Sequence, residues 1–164
     1  MVLHRWDALA HTAALTAVNA EPEVMTFLNA GVPYSEAASR EQSERFAQHW
    51  DQFGFGFWAV EAAGTLVGFV GVGHPIYFPA YVHEVEVGWR LHPSAWGKGY
   101  ATEAGRAAVD AALEHLAVRR VIAVIDPGNV ASIAVAERLG MTPAERAPDP
   151  EGPGELVIYE QRRR

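Results

Sequence analysis

Trp96-Gly97-Lys98-Gly99-Tyr100-Ala101-Thr102-Glu103-Ala104 joins an alternating, strand-like run, Val85 to Leu91, to a long alanine-rich run with helical character. Lys98 is the only lysine of the 164 residues, and glycine flanks it on both sides. A glycine loop that feeds a helix N-terminus gathers backbone N–H groups without intrahelical acceptors at one point, and the helix dipole adds partial positive charge there. Glycine lets a ligand come close to the backbone, so a strand–loop–helix of this kind suits a phosphate or pyrophosphate. The competing reading is a plain turn.

Working outward, strands and helices alternate. Val2 to Trp6 reads as a short strand. Asp7 is placed to cap a helix to about Asn19, and Ser35 to cap another to about Gln52, with Phe46, Trp50 and Phe53 on one side. Pro22 to Leu28 is a short helical piece. Phe57 to Glu61 and Leu66 to Val72 form a hairpin around Ala63-Gly64. A loop rich in proline and aromatics, His74 to Tyr81, leads into the strand Val82 to Leu91. A helix is expected from Gly99 to about Leu116. Val121 to Ile125 is continuously apolar, as in a buried central strand. Asn129 can cap a helix to Leu139 that stops at Gly140, and Leu156 to Tyr159 is the last strand.

The length suits one domain, residues 1–164, and nearly half the residues are hydrophobic. A net charge of −7 argues against nucleic acid as a partner. No apolar run is long enough for a membrane span and no signal peptide is apparent, so a soluble, cytoplasmic protein is expected. The chain has no cysteine, which excludes disulfides, thiolate metal sites and a cysteine nucleophile. Its seven histidines have no paired metal-ligand spacing, so no metal is expected. Gly97-Lys98 is followed by Gly99 rather than Ser or Thr, against a P-loop NTPase. Gly71-Val72-Gly73 lacks the third glycine and following helix of a dinucleotide site.

Glu84 and Glu86 are two apart on the strand and face the same way, opposite Val85, Val87, Trp89 and Leu91. A carboxylate there is able to attract an ammonium group and accept its proton; the plainer reading is a solvated strand face. Gly88 interrupts the same strand and signals a bulge or a close ligand approach.

Three segments resemble the GNAT superfamily of acyl-CoA-dependent N-acetyltransferases, in particular the branch of the ribosomal-protein-alanine N-acetyltransferases: EVGWRLHPSAWGKGYATEA (86–104), VRRVIAVIDPGNVASIAVAERLGM (118–141) and PEVMTFL (22–28). The resemblance implies an α/β fold with a mixed, mostly antiparallel central sheet flanked by helices. It implies acetyl transfer from acetyl-CoA to a primary amine, either a protein N-terminus or a small molecule, by direct attack in a ternary complex. A non-catalytic acyl-CoA-binding module on the same fold is the alternative. The amides of Gly97, Lys98, Gly99, Tyr100 and Ala101 would hold the pyrophosphate, with Trp96 and Thr102 at the ends of the loop. Lys98 and Arg106 either add charge there or are solvated. The backbone at Val87, Trp89 and Leu91 would accompany the pantetheine arm, and Asn129 and Ser132 would meet CoA near its thiol.

Glu86 matches the glutamate before Val-Gly in the resembling sequences and is the first candidate for the catalytic base. The tyrosine that many members carry seven residues after the asparagine is replaced by Ala136, which leaves Ser132 as the candidate acid. Glu84, His83 and Tyr77 would border the acceptor, and His74 is a second candidate relay beside His83. The aromatic loop reads equally as a pocket wall, a core cover or a homodimer surface.

Overall fold

The computed structural model describes residues 1–163. Seven strands form one sheet in the order β1-β2-β3-β4-β5-β7-β6, and every neighbouring pair except β4/β5 is antiparallel. The strands are β1 (Val2–Arg5), β2 (Phe57–Ala62), β3 (Thr65–Gly73), β4 (Val85–Leu91), β5 (Arg120–Ile125), β6 (Thr142–Pro148) and β7 (Glu155–Arg162). The helices are α1 (Ala8–Ala20), α2 (Pro22–Met25), α3 (Glu36–Phe53), α4 (Tyr100–His115) and α5 (Val130–Arg138). Among the described residues no helix is long and apolar enough to cross a membrane.

The helix starts follow the capping chemistry. Asp7 accepts from the amides of Leu9 and Ala10, Ser35 from Ala38, and Asn129 from Ser132. Each side chain satisfies donors that the helix itself leaves open. At the other end of α3, Gly54 takes the left-handed conformation and closes onto the Trp50 carbonyl.

Strand alternation divides the core. Val85 and Val87 of β4 turn to one face, where they pack with Ala108, Val109 and Ala112 of α4 and with Val121, Ala123 and Ile125 of β5. On the other face, Phe69, Ala59, Trp6 and Leu15 meet Phe46 and Trp50 of α3. Phe53, expected beside them, is instead 43% exposed and lies against His49 and His74.

Three expectations are corrected. β4 begins at Val85, not Val82, because Pro79–Tyr81 form a tight turn and the Glu84 amide closes onto the Tyr81 carbonyl. β6 is a strand that its sequence does not announce. It carries Pro143 and Pro148, six of its seven residues are exposed, and it occupies the sheet edge where proline is tolerated. Gly88 makes no bulge, since β3 and β4 pair in unbroken register from Gly68↔Leu91 to Gly73↔Glu86. What Gly88 accommodates is the Phe57 ring, which would stand 3.2 Å from a Cβ there.

Candidate active site

The sheet opens in its middle. β4 and β5 are paired only through Val85↔Val121 and Glu86↔Ile122. Beyond Glu86 the two parallel strands part, and the backbone of β4 from Val87 onward has no β5 partner. Val87 and Leu91 are buried by their side chains, so only their main chain is available to a ligand in this fork. Trp89 is half-buried and donates its indole N–H to Ser132 Oγ at 3.3 Å, linking β4 to the first turn of α5.

The glycine loop stands between the end of β4 and α4. Gly97 and Gly99 have φ of 72° and 81°, a region that a side chain disfavours, and a Cβ at either would meet nothing within 4 Å. Their conformation therefore favours glycine, while the space beside them is open. Gly99 provides no side-chain cap for α4. The amides of Gly97 through Thr102 have no hydrogen-bond acceptor among the described residues. The Trp96 indole N–H is spent on the Leu91 carbonyl at 2.7 Å, which fastens the loop to the end of β4. Lys98 is exposed, and Arg106 turns away to donate to the Arg138 carbonyl at the end of α5. A cradle of unpaired amides at the start of a 16-residue helix, with room beside its glycines, suits a phosphate or pyrophosphate.

Glu86 lies at the apex of the fork. Its Oε1 accepts from the Tyr77 hydroxyl at 2.7 Å, and the nearby Val124 amide also favours the charged form of the carboxyl. Burial disfavours the charged form and pushes Glu86 up to about 7, although both donors pull the other way. The carboxyl is thereby poised to gain or lose a proton near neutrality. The Phe57 ring, close to where side chains would stand at Gly73 and Gly88, floors the space beside it. Phe57 and Val124 escaped the sequence reading: one contributes from two strands away and the other only through its backbone.

The remaining candidates separate. Glu84 shares the face of Glu86, but Arg120 holds it through Nη2 at 2.8 Å and Nε at 3.1 Å. The same guanidinium reaches Glu160 of β7 at 2.9 Å, so these carboxylates and Arg120 clasp β4, β5 and β7 together. His83 is exposed. His74 bonds the Glu84 carbonyl through Nδ1 at 2.8 Å, and its backbone N–H donates to His49 at 3.2 Å. Of the aromatic loop, Phe78 is buried against Ile122, Ala147 and Ile158, Tyr81 packs on Phe78, and Tyr77 turns to Glu86. Ser132 Oγ accepts from Trp89 and keeps its own proton free to donate. Ala136 is fully buried. No cluster of three or more metal-ligating His, Asp or Glu side chains occurs among the described residues.

Comparison with known proteins identifies the family. Residues 1–142 match the family described as acetyltransferase (GNAT) domain. The protein YkkB of Bacillus subtilis is 32% identical over 131 residues, covering 74% of this chain and 69% of that protein. The FsC-acetyl coenzyme A-N(2)-transacetylase of Aspergillus fumigatus is 32% identical over 132 residues, 76% of this chain and 55% of that enzyme. Among solved structures, an acetyltransferase from Agrobacterium tumefaciens superposes with a TM-score of 0.80 at 31% identity, covering 97% of this chain and 88% of that one.

Proposed function

The chain belongs to the acetyltransferase (GNAT) family and uses acetyl-CoA as co-substrate, and on that premise we propose that it acetylates a primary amine by direct attack within a ternary complex, with Glu86 as the base. The observation that carries this reading is the Glu86 carboxyl at the apex of the β4/β5 fork, brought to about 7 by burial and held by the Tyr77 hydroxyl. The transacetylase relative is named for transfer to a nitrogen, which supports an amine as acceptor.

The acceptor enters as an ammonium ion and must lose a proton before its nitrogen can attack. Glu86 takes that proton, directly or through one water. The nitrogen lone pair then forms the bond to the acyl carbon while the bond from that carbon to sulfur breaks. A backbone N–H of β4 in the open fork stabilises the charge that builds on the carbonyl oxygen. The second proton that the nitrogen sheds as it becomes an amide passes to the departing sulfur, and the Ser132 hydroxyl is the donor we assign to that sulfur, regaining from the nitrogen, directly or through water, the proton it passes on. A free thiol has a pKa of about 8.5, so this proton is a modest aid. With no cysteine in the chain, a cysteine acyl-enzyme is not part of the scheme. Gly97 to Thr102, Asn129 and the backbone of Val87 to Leu91 hold the co-substrate, and Tyr77 with Phe57 lines the acceptor side.

The test is thiol release from acetyl-CoA across a panel of amines, for wild type and Glu86→Gln. A general base contributes about 10²–10⁴-fold, so the variant is expected to lose at least about tenfold in maximal rate with CoA affinity nearly unchanged. Partial recovery at high pH, where the amine is already neutral, is expected. A raised acceptor KM with unaltered maximal rate would reduce Glu86 to a docking group, and no change in either would remove it from the site.

A further inference from the structure

The eleven-residue connection between β3 and β4, residues 74–84, is long for neighbouring antiparallel strands, yet it is tightly anchored. Phe78 is 5% exposed and sits in a cluster with Ile122, Ala147 and Ile158. The Tyr81 ring meets Phe78 edge-on with centroids 4.8 Å apart. His74 Nδ1 closes the base of the connection on the Glu84 carbonyl. Tyr77 immediately precedes the anchor, so its ring is presented from a rigid segment. Its hydroxyl ends 2.7 Å from Glu86 Oε1 and is the only side-chain donor to that carboxylate among the described residues.

We propose that Tyr77 is a positioning residue for Glu86: its hydroxyl fixes the orientation of the carboxylate and favours the anionic form that accepts the acceptor's proton. The proposal rests on Glu86 being the base. A hydroxyl donor stabilises the charged carboxylate more than the neutral acid, so it widens the pH range in which the base is competent. The phenol itself stays neutral, because partial burial, in a residue that is 39% exposed, and the neighbouring carboxylates of Glu86, Glu151 and Asp149 push its own pKa up.

The other groups around Glu86 do not supply this role. β5 offers the Val124 amide, which does not titrate, and Arg120, which is committed to Glu84 and Glu160. β3 ends at Gly73, and the His74 that follows is bonded to the Glu84 backbone. β2 contributes the Phe57 ring. Asp149 and Glu151 of the β6–β7 turn act on Tyr77, and neither is among the groups that move Glu86.

The experiment is the pH dependence of kcat/KM for the acceptor in wild type, Tyr77→Phe and Glu86→Gln. Wild type is expected to lose activity below about pH 7. Phenylalanine keeps the ring and the packing and removes only the donor, so the acid limb is expected to move up by about one to two pH units, the size of a lost hydrogen bond to a charged group. Incorporation of 3-fluorotyrosine at position 77 gives a stronger donor on the same frame and is expected to move the limb down. If Tyr77→Phe lowers activity by the same factor at every pH, or if neither substitution moves the limb, Tyr77 only shapes the loop and the proposal is wrong. If Glu86→Gln retains the full rate and the acid limb, it is the assignment of the base that fails. Should Tyr77→Phe prove unstable, the fluorinated protein decides alone.

Discussion

Replacement of Gly99 by alanine separates the demands of the fold from those of the ligand, because Gly64 provides a matched control. Both glycines have left-handed φ, 81° and 79°, and a Cβ at either meets nothing within 4 Å. The fold therefore charges both substitutions the same: the left-handed penalty of about 1–2 kcal/mol, lessened by about 0.4–1 kcal/mol from the stiffer unfolded chain. For a chain of this length about 1 kcal/mol lowers Tm by roughly 2–4 °C, and both variants are expected to fall in that range. CoA distinguishes them. Gly64 turns the β2–β3 hairpin, whereas Gly99 stands in the amide cradle, where a methyl group would intrude on the approach of the pyrophosphate. Loss of one hydrogen bond to a charged group is worth about 1.5–3 kcal/mol, or about 10–100-fold in affinity. Titration calorimetry with CoA is expected to show that loss for Gly99→Ala and none for Gly64→Ala. Equal affinities for the two folded variants would refute the placement of the phosphates on this loop.

Two further outcomes follow from the electrostatics. Folding raises Glu86 from 4.5 to about 7, so its contribution to stability is intact below pH 4.5 and is lost as pH rises through 7; Glu86→Gln is expected to match wild type at pH 4 and to exceed it by at most about 3 kcal/mol above pH 7, as read by chemical denaturation at several pH values. Arg120→Ala leaves Glu84 and Glu160 facing each other without their cation and is expected to cost about 2 kcal/mol, less than the 3–5 kcal/mol of a fully buried pair, which thermal melting at neutral pH reads as a drop in Tm that shrinks in acid.

Much of this molecule was legible in the order of its residues because the physics concerned is local. Asp7, Ser35 and Asn129 cap the helices that follow them, since each side chain reaches an amide two or three residues away. Gly97 and Gly99 mark the cradle because a backbone of that shape favours glycine at two of three successive positions. The alternation of Val85 to Leu91 assigned Glu86 and Val87 to opposite faces, and the sheet keeps them there. What the tertiary structure alone decided depends on partners distant in the chain. By strand alternation alone Glu84 and Glu86 share one face, and only the family resemblance puts Glu86 first. They differ because Arg120, thirty-odd residues on, takes the first, and Tyr77, from an anchored loop, takes the second. Gly88 read as a bulge or a close approach; the register excludes the bulge, and the residue seats a ring from β2. β6 was invisible because an exposed edge strand carries no apolar period, and only its pairing with β7 makes it a strand. The poise of Glu86 is of the same kind: a glutamate has an ordinary pKa until the surrounding chain removes its water.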